Sequence, residues 1–232
     1  MRKLPLTGVA LAATIATLAL AASAGAELIS LYRNPMETKG QRSDSVKLSG
    51  ARCQRGGSSH VLRIVVGKQT SECSYRTPVI GRDLQIAATM RLLSETPKAL
   101  RPKVFLALNL RAGGGSRYQL AVYPLQRKTQ LRKVFTDGSV KYLHIEKKVR
   151  TVKGTGKANQ LRLRAFNITA GPDKGQCRII AFVGGEQVGD FTDRAAGEVQ
   201  GRASGFAVGA AKGAKGAVAS VDDVVVRAPN PF

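Results

Sequence analysis

The chain has 232 residues, and 37 Lys plus Arg against 15 Asp plus Glu give it a net charge of +22. A composition that is 43% hydrophobic and 22% charged, with 25 Gly, is that of a globular protein and excludes wholesale disorder, a collagen-like repeat and a polytopic membrane protein. With no Trp, 7 Phe and 5 Tyr, it also argues against a broad aromatic binding surface.

Residues 1–26 begin with Arg2 and Lys3, continue as an Ala- and Leu-rich run and end in small residues, the layout of a secretory signal peptide. The A-x-A spacing occurs at Ala22-Ser23-Ala24 and at Ala24-Gly25-Ala26, so cleavage after Ala24 or Ala26 fits equally. An uncleaved anchor is the competing reading; Pro5, the Ala and Thr content and the lack of a basic stop after the run weigh against it. Removing Arg2 and Lys3 from the 37 leaves 35 basic against 15 acidic residues, or +20, so the charge belongs to the exported part. That part divides into an N-terminal extension over 27–45, one domain over 46–228 and a short tail over 229–232.

Cys53 and Cys73 flank a strand candidate, Val61 to Val66, and a bridge between them would tie neighbouring strands in an oxidising compartment. Three cysteines allow three single bridges. In that pairing Cys177 is left over, in a strand-like stretch where a small buried thiol is the plain expectation.

From Leu84 onward the signal is alternation. Leu84 to Leu92 and Val104 to Arg111 carry apolar residues at every second position, as half-buried strands do. Gly113-Gly114-Gly115-Ser116 closes a hairpin onto Tyr118 to Tyr123, Asp137-Gly138 separates Leu131–Thr136 from Val140–Glu146, and Gly184-Gly185 separates 177–183 from 187–191. Leu161 to Phe166, Gly205 to Gly209 and Val218 to Val226 bring the expectation to about a dozen strands. Pro97 and Pro102 mark 94–103 as a loop. An all-β chain of this kind predicts an antiparallel β-sandwich or barrel.

The order of pieces resembles the concanavalin A-like lectin/glucanase superfamily, in particular secreted bacterial laminin-G-like jelly rolls. The resemblance rests on GRDLQIAATMRLL (81–93), VFLALNLRAGGGSRYQLAVYPLQRKTQLRK (104–133), NQLRLRAFNITAG (159–171), CRIIAFVGGEQVGDFTD (177–193), GRASGFAVGA (201–210) and VASVDDVVVR (218–227). It implies an antiparallel jelly roll, and a glycan held on the exposed concave face of one sheet. If Leu106, Leu108, Leu110, Leu120 and Val122 face the core, Asn109, Arg111, Gln119 and Tyr123 share the opposite face and are the candidate ligand-binding residues.

Catalytic signatures are missing. The glucanases of that superfamily need carboxylates on alternate positions of one strand, whereas Glu186, Asp190 and Asp193 are spread across a hairpin. Asp222 and Asp223 are adjacent, so in a regular strand they point to opposite faces; a structural role at the start of the last strand is expected, with calcium ligation as the alternative. His60 and His144 lie in no metal-binding spacing, and no metal or other cofactor is expected.

Basicity is the other feature. Arg127 to Arg164 holds twelve Lys or Arg against Asp137 and Glu146, a net +10. Lys141, Lys147, Lys148, Arg150, Arg162 and Arg164 are the candidate polyanion patch. The reading is a secreted, non-enzymatic binding module for carbohydrate or an anionic cell-envelope polymer, with no specific nucleic acid partner and with peripheral envelope association as an accompanying expectation. The alternatives are a glycoside hydrolase of the same superfamily with atypical acids, and a structural envelope protein held by charge.

Overall fold

A computed structural model of the chain describes residues 28–38, 41, 47–49, 53–56, 62–67, 72–210 and 215–229. The signal-peptide segment 1–26 and His60 lie outside the described residues. The described strands are β1 (Leu28–Asn34), β2 (Lys47–Ser49), β3 (Cys53–Gly56), β4 (Leu62–Val66), β5 (Glu72–Ile80), β6 (Leu84–Leu92), β7 (Val104–Gly113), β8 (Ser116–Tyr123), β9 (Lys128–Val134), β10 (Val140–Glu146), β11 (Asn159–Asn167), β12 (Cys177–Val183), β13 (Glu186–Asp193), β14 (Ala203–Ala210) and β15 (Val218–Pro229). Two short 3-10 turns, Arg101–Lys103 and Ala196–Glu198, interrupt them. No helix among the described residues is long and apolar enough to cross a membrane.

The strands form two antiparallel sheets. Sheet A runs β13-β12-β11-β6-β15-β4-β3, with β1 also paired to β15; sheet B runs β10-β9-β8-β7-β14-β5-β2. Chain neighbours pair through hairpins, while β6, β14 and β15 enter between strands distant in sequence, as in a jelly roll. The Gly184-Gly185 turn has both residues at positive φ, the backbone a two-residue hairpin requires.

Alternation works as expected along most strands. In β6, Leu84, Ile86, Ala88, Met90 and Leu92 are buried between the sheets. In β7 and β8, Leu106, Leu108, Leu110, Leu120 and Val122 join the same core, with Tyr75 stacked on Phe206 at 5.2 Å.

Three expectations need correction. The segment 27–45 is not merely an extension: β1 pairs with β15 from Leu28↔Pro229 to Asn34↔Val224, and Met36 is fully buried, so the sandwich begins here. β15 likewise runs on to Pro229, into the expected tail. The Cys53–Cys73 disulfide ties β3 of sheet A to β5 of sheet B, with Cα atoms 5.8 Å apart. It staples the two layers together, rather than two neighbouring strands.

Candidate functional site

The outer face of sheet B carries a set of polar side chains together with Phe105, Tyr123 and Tyr142. Register aligns them in rows across the strands. Gly205, Asn109, Gln119, Arg132 and Tyr142 form one row, and Ala207, Ala107, Ala121 and Gln130 the next. Gly209 and Phe105 are paired in a third, beside Tyr123 and its partner Lys128. Phe105, Ala107, Ala121, Tyr123 and Ala207 make a small apolar cluster separate from the main core.

Gln119 is the hub. Its Nε2 donates to Asn109 Oδ1 at 2.8 Å, and its Oε1 accepts from Arg132 Nε at 2.8 Å and from Arg132 Nη2. Arg132 Nη1 reaches the Tyr123 hydroxyl at 3.4 Å and Gln130 Oε1 at 3.3 Å, and the guanidinium lies 4.6 Å over the Phe105 ring. Phe105 and Tyr123 are tilted rings 5.7 Å apart, and Lys128 Nζ sits 4.2 Å over Tyr123. From β5, Glu72 accepts a bond from Arg117 Nη2 at 2.8 Å and from Gln119 Nε2 at 3.3 Å, and takes the Ser74 hydroxyl as well. β14 and β7 lie between β5 and β8, and they present Gly205, Ala207, Gly209 and Ala107 on this face. Small side chains on the middle strands let long ones from the flanking strands meet above them.

The result is a closely fitted layer: Asn109 is 3% exposed, Gln119 0%, and Tyr123 and Arg132 6% each. Burial pushes the Tyr123 hydroxyl above its ordinary pKa although Arg132 opposes it. Burial, with Lys147 and Arg132 nearby, lowers that of Lys128. A cleft opens at one end against the β7–β8 hairpin, lined by Ser74, Arg76, Asn109, Ser116, Arg117 and Gly205. Amides, a carboxylate and guanidinium groups held in fixed positions beside a tyrosine ring are suited to hydrogen-bonding hydroxyl groups.

Of the four residues placed together by parity, Asn109, Gln119 and Tyr123 share this face and Arg111 does not. The β7–β8 register shifts between Leu110 and Gly113, and Arg111 adopts φ 51°, so its side chain turns to the ends of sheet A. There Nε donates to the Arg82 carbonyl at 3.1 Å, and Nη2 to Asn167 at 2.9 Å and Asp83 at 3.3 Å. It belongs with an internal polar seam. Lys133, 0% exposed, pairs with Asp193 at 2.8 Å and Glu198 at 2.7 Å, and Tyr118 donates to Asp193 at 2.5 Å. Burial, reinforced by the bond to Asp193, drives the Tyr118 hydroxyl far up, and burial pushes the neighbouring Cys177 thiol up to about 11. Cys177 is therefore an inert buried thiol.

The basic candidates are split. Lys141 lies on β10 at the edge of sheet B, and Lys147, Lys148 and Arg150 are exposed on the β10–β11 connection. Arg162 and Arg164 project from β11 on the outer face of sheet A, over Phe182 at 3.9 Å and Phe166 at 4.7 Å. The acids are dispersed as well. Asp190 pairs with Arg178 at 2.6 Å, Glu186 accepts from Thr151, Asp193 is interior and Asp222 accepts the Asp223 amide. Among the described residues no group of three His, Cys, Asp or Glu gathers to hold a metal ion.

Sequence reasoning missed Glu72, Phe105, Arg117, Lys128, Gln130 and Arg132. Parity along β9 places Lys128, Gln130 and Arg132 on one face, and the charge of that segment masked it; β5, which carries Glu72, was not recognised as a strand.

Two antiparallel sheets in this order, packed face to face, define a jelly-roll β-sandwich. The sequence matches no family model and no curated protein. Among solved structures the chain is similar to the carbohydrate binding module CBM66 from Bacillus subtilis, with TM-score 0.58 and 12% identity over 80% of this chain and 98% of that one. It is also similar to a galectin-like protein of unknown function from Bacillus subtilis (TM-score 0.57, 14% identity, 87% and 97% covered). A third is the metal-free carbohydrate recognition domain of Emp46p (TM-score 0.57, 12% identity, 88% and 97% covered).

Proposed function

We propose that this is an exported, non-enzymatic carbohydrate-binding module whose ligand lies on the outer face of sheet B. The observation that carries this is the fixed layer of Asn109, Gln119, Arg132 and Tyr123, with Glu72 and Arg117 at its side, on the kind of fold that CBM66 and the Emp46p recognition domain use. Arg76 and Arg117 at the cleft, and Lys128 and Tyr142 at the far side, are the groups a sugar chain reaches first. Export rests on the layout of residues 1–26, and a disulfide between the layers suits an oxidising compartment.

The test is a binding panel of neutral and acidic polysaccharides with purified protein, compared with the Arg76→Ala/Tyr142→Ala variant. Binding that the variant weakens about tenfold, with an unchanged melting temperature, supports the reading. No binding to any member, or turnover of one, overturns it. N-terminal sequencing of the exported protein tests the leader, with a start at residue 25 or 27 expected.

A further inference from the structure

The outer face of sheet A has its own chemistry. Arg162 and Arg164 are two residues apart on β11 and so point the same way, about 7 Å apart along the strand. Register places Gln85 of β6 beside Arg164, and Arg227 of β15 on the other side of Gln85, about 10 Å from Arg164 across the sheet. None of these arginines forms an ion pair among the described residues, whereas Arg178 on the same face is held by Asp190 and Arg63 by Glu95. Arg162 and Arg164 are supported over phenylalanine rings, and Arg162 Nε is buried without a hydrogen-bond partner. Burial, then Arg227 and Arg164, weaken the hold of Arg162 on its proton, as unrelieved like charges do.

Next to Arg162 lies a depression of about 330 Å³ floored by Ala87 and bordered by Thr89, Gln160, Phe182 and Asp223. Groups for hydroxyls thus stand beside groups for an acid. The phenylalanines are covered by guanidinium groups, which leaves no free ring for a nucleobase to stack on. Neither they nor Ile180 and Val225 are among the exposed large apolar side chains that would enter a lipid layer; Ile29 and Leu31, which are, lie on β1, beyond Arg227 and away from Arg162 and Arg164.

We propose that the outer face of sheet A is a second binding surface, for an acidic polysaccharide whose carboxylate or sulfate groups sit against Arg162, Arg164 and Arg227. It is independent of the sheet B site. Guanidinium forks take two oxygens of such a group at once, which a lysine cannot do.

The experiment titrates the full exported chain with dextran sulfate, carboxymethyl dextran and neutral dextran at about 0.15 M salt, where screening over about 8 Å suppresses net-charge attraction. Both charged dextrans bind and neutral dextran does not; which binds more tightly separates sulfate from carboxylate. Arg162→Gln/Arg164→Gln/Arg227→Gln weakens binding about tenfold or more, and Lys141→Gln/Lys147→Gln/Lys148→Gln, which removes equal charge, weakens it less than about threefold. Arg162→Lys/Arg164→Lys/Arg227→Lys keeps the charge and still loses most of the affinity. Single Arg227→Gln, at an exposed side chain, carries the same test if the triple variant fails to fold, with a loss of about threefold. Equal losses in the arginine and lysine triples overturn the proposal. So does full binding by the lysine-for-arginine variant, failure of both charged dextrans to bind, or a DNA duplex or phosphatidylserine vesicle held as tightly through the same arginines.

Discussion

The two outer faces of the sandwich are built by the same alternation of side chains, and they end in opposite states. On sheet B the polar residues are hydrogen-bonded to one another and almost wholly covered; on sheet A the arginines lean on phenylalanine rings and remain partly open. The cause is the size of what lies between them. Gly205, Ala207, Gly209 and Ala107 on the middle strands of sheet B let Glu72 and Arg117 come together with Gln119, whereas sheet A sets Gln85 between Arg164 and Arg227. On sheet B the covered layer is fixed as part of the fold and leaves groups at its margins, such as Arg76 and Tyr142, exposed. On sheet A the arginines themselves stay partly open and without acidic partners among the described residues.

That comparison breaks most readily at its floor. A Cβ on Gly205 would stand 1.9 Å from the Tyr75 carbonyl oxygen, a backbone atom that cannot step aside. Gly205→Ala is expected to cost more than about 4 kcal/mol or to prevent folding, as read by chemical denaturation. A stable, native-like variant would show that β14 and β5 are less closely fitted than described.

Next comes the seam that joins the faces. Lys133→Met strands the Asp193 carboxylate without a cation, held only by the Tyr118 hydroxyl and the Ala195 amide, while Glu198, 47% exposed, turns to water. Leaving a buried charge unpaired costs about 3–5 kcal/mol, visible as a lowered urea midpoint with an unchanged slope. A loss under about 1 kcal/mol would mean that water already reaches Asp193.

A matched pair then tests the faces directly. Arg132→Met removes the donor to Gln119 and Gln130 and is expected to cost about 1–3 kcal/mol, because buried acceptors are left unmet. Arg164→Met, on the other sheet, loses only a ring contact and is expected to cost about 0.5 kcal/mol or less. Equal costs would erase the distinction between a structural and a free polar face.

Alternation carried most of the fold into view, because β6, β7, β8, β11 and β12 bury an apolar residue at every second position. It failed at β5, where Pro78 and the polar Glu72, Ser74 and Arg76 break the apolar run, and at β1 to β3, which are short or offer little contrast. In the candidate site, Asn109, Gln119 and Tyr123 followed from parity. Arg111 did not, since a single residue at positive φ in a bulge reverses the face and leaves no mark in the pattern. The basic stretch failed for another reason: closeness along the chain is not closeness in space once β10 and β11 belong to different sheets. Arg227, far away in sequence, stands across Gln85 from Arg164, whereas Lys141 lies in the other sheet.

The smallest effect concerns Asp222, an acid on sheet A. Asp222 lies where β15 shifts register against β6, with Asp223 at φ 48°, and burial followed by the Asp223 charge raises its pKa. A carboxyl whose folded pKa is raised binds its proton more tightly in the folded state. It therefore supports the fold below its unfolded pKa of about 3.9, and that support is lost as pH rises through the folded value. At pH 7 the ionised group is a burden that Asp222→Asn removes while keeping an oxygen for the Asp223 amide. The variant is expected to melt about 1–2 °C higher at pH 7 and to match the parent near pH 3. A gain that persists unchanged at pH 3 would assign it to packing instead of charge, and a loss at pH 7 would mean that the attraction of Arg91 outweighs both burial and the Asp223 charge.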